Sequence, residues 1–419
     1  MASLYNQTLL LRLLFLGIPL ADALYGMLVY FGVELPISLG FRLLVVAYSL
    51  GVFVMFPADQ KRWLAMFAMM LLLLASAAVW SVFNPSGVAE GVGIYLKSFY
   101  FLIILNLLLC LSDVPLERIV RYASFYAVMC APLFVFSFVT GIGFATYGDY
   151  AFGTKSFFFS GNDIGLTVFL SSVFSAFGLI RYRKSLYYWP MLCGLLVLAL
   201  LGTKTSFIFT LLLAGLIVFV WFSRPSRAVV IPVKLALLSC VPVVLVLSAK
   251  LIGENLEALA FQLEGFKSLL DAKGPRDFLI VFGKQVLSQF HGFQHLFGVG
   301  GDFYHLVGNE FFRHYVNDFM APSRRAIESD IYDLWGCLGL ISLVVILAVY
   351  VLIWRSLYQF YRNTSKLEFL VLWVGFGLVI AHGLLAGHVM GSPQVALMAG
   401  MCGYLVLRLK SNSASKEVS

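Results

Sequence analysis

Two places in this sequence have the setting that anion binding and proton transfer require. Arg276 follows Gly274-Pro275. Proline suits the first position of a helix, so Arg276 falls in a first turn. The unpaired backbone N–H groups and the dipole there favour an anion, and the planar, permanently charged guanidinium adds a fork that fits phosphate or diphosphate. A surface arginine held by water or lipid headgroups would show the same residues. The second place is Glu328-Ser329-Asp330 with Asp333, just before an apolar run. At helical spacing Glu328, Tyr332 and Trp335 share one face, while Asp330 and Asp333 share another. Glu328, beside aromatic rings, is the first candidate for a general base, and Asp330 is the second. Carboxylates at a membrane boundary are also often merely solvated.

Other polar residues are weaker signals. Lys204 lies in Gly202-Thr203-Lys204-Thr205-Ser206, a brief break between apolar runs, and Lys97 and Arg42 stand near the starts of others. Charge at such depth is costly unless it is paired or faces a wet cavity, so the three could line a basic pocket; singly, each would snorkel to the interface. GTKTS lacks the glycine spacing of a phosphate-binding loop. His291 and His295 are four apart, with Asp302 and His305 nearby. Gly292 weakens a helix between them and no HExxH pattern is present, so the reading is histidines beside a glycan or headgroup, with no metal. His382 and His388 lie in or near the eleventh apolar run; one of them could face a cavity, but a satisfied packing role is the default. All six cysteines sit in or beside apolar runs without paired spacing, which argues against a disulfide framework or a thiolate metal site.

The elements that must position these residues are membrane helices. Apolar residues make up 61% of the 419 and charged ones 12%, where a soluble domain carries about 25% charged. The expected fold is all-α and polytopic, and the net charge of +8 then reports loop orientation and anionic lipid rather than nucleic acid. On the criterion of about 20 apolar residues per span, about twelve runs qualify: 9–31, 38–56, 63–83, 93–111, 119–140, 164–180, 187–201, 206–222, 229–249, 331–354, 369–386 and 395–407. The stretch Ala21-Asp22-Ala23 resembles a cleavage site, but the apolar run continues past it, so the first run reads as a retained span. Basic residues alternate between breaks: Lys61 and Arg62, Arg118 and Arg121, Arg181 to Lys184, Arg224 to Lys234, and Arg355 to Lys366 on one side. That alternation puts both termini in the cytoplasm and residues 250–330 outside. The chain therefore divides into nine spans (1–249), an outward helical loop domain (250–330), three spans (331–410) and a disordered polar tail (411–419). Within the loop domain, helices are expected over 255–270, 275–290 and about 306–320, with a glycine turn at 298–301.

Taken in order, the GTKTS break, the loop arginine, Leu296-Phe297-Gly298-Val299-Gly300, Glu328-Ser329-Asp330 and Gly336-Cys337-Leu338-Gly339 resemble motifs of the O-antigen polymerase and O-antigen ligase superfamily. The outward 153–163 stretch with Asn162 resembles its F-x-N loop, and the resemblance covers about 153–340. It implies a membrane-embedded glycosyltransferase of the bacterial inner membrane, acting on its periplasmic face. The donor it implies is a glycan on undecaprenyl diphosphate; the acceptor is another lipid-linked repeat unit (polymerase) or a lipid A core sugar (ligase). It implies no cofactor and no metal, contact with membrane lipid, and a possible chain-length regulator as partner. By the match Arg276 binds the diphosphate, Arg324, Arg325 or Arg313 supplies a second cation, and Lys204 replaces an arginine of the Thr-x-Ser-Arg element. Substrate contacts are expected from Lys97, Arg42, His305, Asn162 and Tyr332. Ligases carry His-Asn where this chain has Glu328-Ser329, which favours polymerase. The competing class is a flippase or transporter, which should show charges deep in several spans and related halves; here mid-span charges are few and no repeat is visible. An accessory subunit without activity is the third reading.

Overall fold

The computed structural model describes residues 7–55, 60–83, 85–111, 114–146, 153–222, 275–316 and 324–417. Almost all of them are helical, as lipid requires: a spanning segment must satisfy its own backbone N–H and C=O groups. The helices are α1 (Gln7–Tyr30, with a π turn at Leu13–Gly17), α2 (Ile37–Met55), α3 (Gln60–Phe83), α4 (Val88–Leu109) and α5 (Leu116–Thr140). A two-stranded antiparallel hairpin follows, β1 (Phe144–Ala145) with β2 (Thr154–Ser156). Next come α6 (Gly161–Tyr182), α7 (Tyr188–Leu201) and α8 (Lys204–Phe222). Then follow α9 (Pro275–Ser288), α10 (Phe293–Phe297), α11 (Asp302–Phe311, extended by a π turn to Val316), α12 (Asp330–Thr364), α13 (Leu367–Ala386) and α14 (Pro393–Glu417).

Six of these helices, α1, α4, α5, α6, α12 and α13, are long and apolar enough to cross a membrane. Shorter apolar stretches occupy α2, α3, α7 and α8. Every expected run lies largely within a helix except 229–249, which lies outside the described residues. So does the helix expected over 255–270. The chain is a multi-pass helical membrane protein.

By contact the chain forms two compact units. One holds residues 1–21, 36–115 and 273–419; the other holds 22–35 and 116–272. The described part of 275–330 thus groups with the first and last helices rather than standing alone. The polar tail differs from expectation too, since α14 runs on to Glu417.

In the first unit α4 lies along α14. A Cβ on Gly400 would stand 2.8 Å from Ile104 and 3.0 Å from the Phe101 carbonyl, so the glycine allows close helix approach. Tyr350 joins α12 to its neighbours, edge-on to Phe101 and stacked on Phe376. In the second unit α5, α6 and α7 are fastened by small polar residues. Ser171 donates to the Ala123 and Ser124 carbonyls at 2.8 Å and accepts from the Ala127 N–H. A serine that bonds neighbouring backbone in this way is satisfied inside an apolar bundle.

Candidate active site

The glycines of the two sequence motifs meet in the first unit. Gly339 has φ 80° and ψ 172°, which interrupts α12. Such a break frees carbonyls of the preceding turn. Those of Gly336 and Cys337 accept instead from the N–H groups of Val299 (3.0 Å) and Gly300 (2.9 Å). The approach is backbone to backbone: a Cβ on Gly298 would fall on the Cys337 carbonyl, and one on Gly339 would fall on the Leu296 carbonyl. Trp80 of α3 closes the same corner, its indole N–H donating to the Phe297 carbonyl at 3.0 Å. The turn between α10 and α11 is therefore clamped onto α12.

This clamp supports a ribbon, residues 324–329, that leads into α12. The Arg325 N–H donates to the Tyr304 carbonyl at 2.9 Å, and Ile327 is fully buried. Asp333 reaches back from the first turns of α12: its Oδ1 accepts the Ile327 N–H (2.9 Å) and its Oδ2 the Ser329 N–H (3.2 Å). Asp330, only 4% exposed, takes the N–H groups of Val389 (3.1 Å) and Met390 (2.9 Å) on one oxygen. It thereby fastens the α13–α14 turn to the ribbon. Between these anchors Glu328 is exposed, with a left-handed backbone at φ 63°. A left-handed glutamate is uncommon and is sustained only where neighbours hold it.

The helix begins at Asp330. Glu328 therefore does not share a helical face with Tyr332 and Trp335, as the spacing suggests; the ribbon orients it instead. Tyr332 lies in the first turn of α12 beneath the Lys284 ammonium, 5.7 Å from the ring centre. Asp330 and Asp333, expected on one face, serve two different sets of N–H donors.

Arg324 opens the ribbon. Its guanidinium pairs with Glu90 in the first turn of α4 and lies 5.9 Å from the Tyr304 ring centre. His305 Nε2 is 4.0 Å from the same carboxylate. Gly301 makes room for it, since a Cβ there would strike the Glu90 side chain. Glu90 is a site residue that the sequence hides: one carboxylate in a short break, with nothing local to link it to a residue more than 200 positions away. Arg325 lies over the Phe311 and Phe312 rings, and Arg313 is 3.8 Å from Glu310, one turn away. Burial, with the Cys337 thiol beside it, pushes the Tyr304 phenol well above its ordinary range.

Arg276 is the second residue of α9, after Pro275 and before Asp277, all in the first turn. Its side chain lies outside the described residues. Arg42 in α2 is half-exposed and Lys97 in α4 is exposed; both belong to the first unit, away from the ribbon in sequence.

Lys204 and Asn162 belong to the second unit, at the starts of α8 and α6. Those starts adjoin: a Cβ on Gly161 would sit 3.1 Å from Thr203 and 3.5 Å from the Lys155 side chain. Each start is capped, Ser160 accepting the Asp163 N–H (3.3 Å) and Thr203 the Ser206 N–H (3.0 Å). Burial holds the Lys155 ammonium below its ordinary range. The hairpin that delivers Lys155 gives no signal in a sequence read for membrane helices.

Among the described residues no three His, Cys, Asp or Glu side chains are grouped to hold a metal. The first unit thus has an exposed carboxylate, Glu328, on a pinned ribbon that also carries Arg324 and Arg325; a carboxylate can take a proton from a hydroxyl, and the guanidinium groups can bind an anion. No protein-family model matches the chain, and a search of curated proteins finds no match.

Proposed function

We propose that this protein is a membrane-embedded glycosyltransferase that polymerises undecaprenyl-diphosphate-linked oligosaccharide repeat units at the periplasmic face of a bacterial inner membrane. What supports the reading above all is the packing of the Leu296-Phe297-Gly298-Val299-Gly300 turn onto Gly336-Cys337-Leu338-Gly339 beside the Glu328 ribbon. Two of the motifs that carry the resemblance are thus direct neighbours beside the ribbon that bears an exposed acid, although the turn and α12 are separated by some thirty residues of chain.

In the proposed reaction the acceptor hydroxyl attacks the anomeric carbon of the donor. Its proton passes to the Glu328 carboxylate, and the bond to the lipid diphosphate breaks with its electron pair on the leaving oxygen. Arg276 stabilises the negative charge that grows there, assisted by Arg324 or Arg325 from the ribbon. Lys155, Asn162 and Lys204 form a separate basic group of the second unit, suited to a lipid-linked anion. Asp330 and Asp333 act by holding the ribbon. The favoured product is polymer rather than ligated core, because Glu328-Ser329 stands where ligases have His-Asn.

The test is turnover of the full chain in lipid nanodiscs with lipid-linked repeat units, read as a polymer ladder on a glycan gel. Ladder formation without nucleotide sugar supports the reading. Transfer to lipid A core alone makes the protein a ligase; movement of intact repeat units across the bilayer without bond formation makes it a flippase.

A further inference from the structure

A two-stranded hairpin is marginal in water by itself, and the β1–β2 hairpin is fastened to the helices of the second unit. Ser156 donates its hydroxyl to the Leu133 carbonyl of α5 at 3.0 Å and accepts from the Ser137 hydroxyl at 2.9 Å. Thr146 donates to the Leu201 carbonyl at the end of α7 at 2.6 Å. Phe158 is buried and stacked on Phe134, and a Cβ on Gly26 of α1 would overlap the Phe157 carbonyl. The hairpin therefore sits at the level where α1 and α5 end, at Tyr30 and Thr140. The rings there form one network that reaches the surface. Tyr30 is edge-on to Phe144 (5.7 Å between ring centres) and to Phe157 (6.3 Å), Phe144 lies 5.1 Å from Phe159, and Phe136 lies 6.4 Å from Phe157. Phe31, edge-on to Tyr30, is 64% exposed, Phe159 47% and Phe136 46%. A contiguous exposed aromatic surface marks an interaction site.

What covers this surface follows from where it lies. Phe136 belongs to a helix long and apolar enough to span, and Val135, Phe138 and Val139 beside it are exposed too. Exposed apolar side chains on a spanning helix face acyl chains, and the aromatic network carries that surface past the helix ends. Among the described residues of 136–146 and 153–160 the only charge is Lys155, whereas a hairpin bathed in water would carry a polar outer face. We propose that the β1–β2 hairpin is an interfacial membrane anchor: Phe31, Phe136 and Phe159, with Tyr30 and Phe144 beside them, lie in the boundary between acyl chains and headgroups of the bilayer that α1 and α5 span. Aromatic rings favour that layer because it offers apolar contact below and polar groups above. The anchor stands apart from the polymerase reading; for that reading it would set the depth of Lys155, two residues before Phe157.

The test is the depth of a nitroxide on the hairpin. In the full chain lacking native cysteines, held in lipid nanodiscs, Phe159→Cys and Phe31→Cys each take a spin label. Val344→Cys in the body of α12 and Asn363→Cys near its end, both exposed, serve as references for lipid and water. Collision rates with oxygen, which concentrates in lipid, and with a water-soluble nickel chelate give the depth of each label. Labels at Phe159 and Phe31 should lie about 5–10 Å below the phosphates, between the two references. Either label suffices where the other variant does not fold. A label reached mainly by the nickel chelate, as at Asn363, puts the hairpin in water and overturns the anchor. A label shielded from both reagents means that protein covers the patch, which overturns it too. The measurement needs no turnover. Labels at the expected depth in a protein that makes no polymer refute the polymerase reading alone, and labels in water on an active polymerase refute the anchor alone.

Discussion

Glu328 and Asp330 are two residues apart, and their surroundings give them different tasks. Glu328 is exposed, whereas Asp330 is buried with both partners on another turn. Glu328→Gln should therefore abolish polymer while leaving thermal stability near wild type. Asp330→Ala should instead strip two buried N–H groups of their acceptor, at about 1–3 kcal/mol each, and lower the unfolding temperature and activity together. Melting curves of the two variants in detergent, beside glycan gels, separate the roles. Equal stability loss in both would remove the distinction. Arg276 makes its prediction through charge and shape. Arg276→Ala should reduce turnover about 10²–10³-fold, as loss of one transition-state donor does elsewhere. Arg276→Lys keeps the charge but not the two-toothed geometry and should not restore the rate. Wild-type polymer from Arg276→Ala would take Arg276 out of the mechanism.

At the scale of elements, what was legible in the sequence follows from what is local. Apolar runs of span length announce α1, α4, α12 and α13, because lipid leaves a chain no alternative to the helix. Pro275 announces the start of α9 for the same local reason. The ribbon was not legible. Helical spacing assigned Glu328 to a face of α12, but Asp333 draws the backbone of Ile327 and Ser329 toward itself, so the helix starts after Glu328. Likewise the glycine turn could be read as a turn, yet its partner could not, since the acceptors that fix it belong to a helix interrupted at Gly339. Glu90 and Lys155 carry no local signal, because each depends on a tertiary neighbour. The clamp predicts sharp asymmetry among glycine substitutions. Gly339→Ala must place a Cβ on the Leu296 carbonyl at φ 80°, and the left-handed backbone alone costs about 1–2 kcal/mol. Gly93→Ala in α4 meets nothing within 4 Å and should gain up to about 1 kcal/mol of helix propensity. Thermal unfolding that ranks the two alike would show that the clamp does not hold the native fold together.

For the molecule as a whole, the proposed reaction depends on which side of the membrane the ribbon faces, because lipid-linked repeat units are consumed on the outer side. Basic residues set that orientation: Arg118 and Arg121 before the body of α5, Arg181 to Lys184 after α6, and Arg355 to Lys366 around the α12–α13 link alternate with breaks almost free of Lys and Arg. Arg121 and Lys184 both bond Glu117, at 3.0 and 2.6 Å, so two of these breaks meet within the second unit. Breaks that meet must lie on one side, which agrees with the alternation. The positive-inside bias predicts that these breaks face the cytoplasm and that α9 to α11 lie outside. Ser288 at the end of α9 is exposed, as is Asn363 near the end of α12, so each can carry a probe. In a variant lacking native cysteines, Ser288→Cys should react with a membrane-impermeant maleimide added to spheroplasts, while Asn363→Cys should react only after the membrane is opened. The reverse pattern would put the Glu328 ribbon on the cytoplasmic side. A carboxylate there meets nucleotide sugars rather than exported lipid-linked glycans, and the proposed polymerisation would have to be abandoned even if every side chain lay where the site requires it.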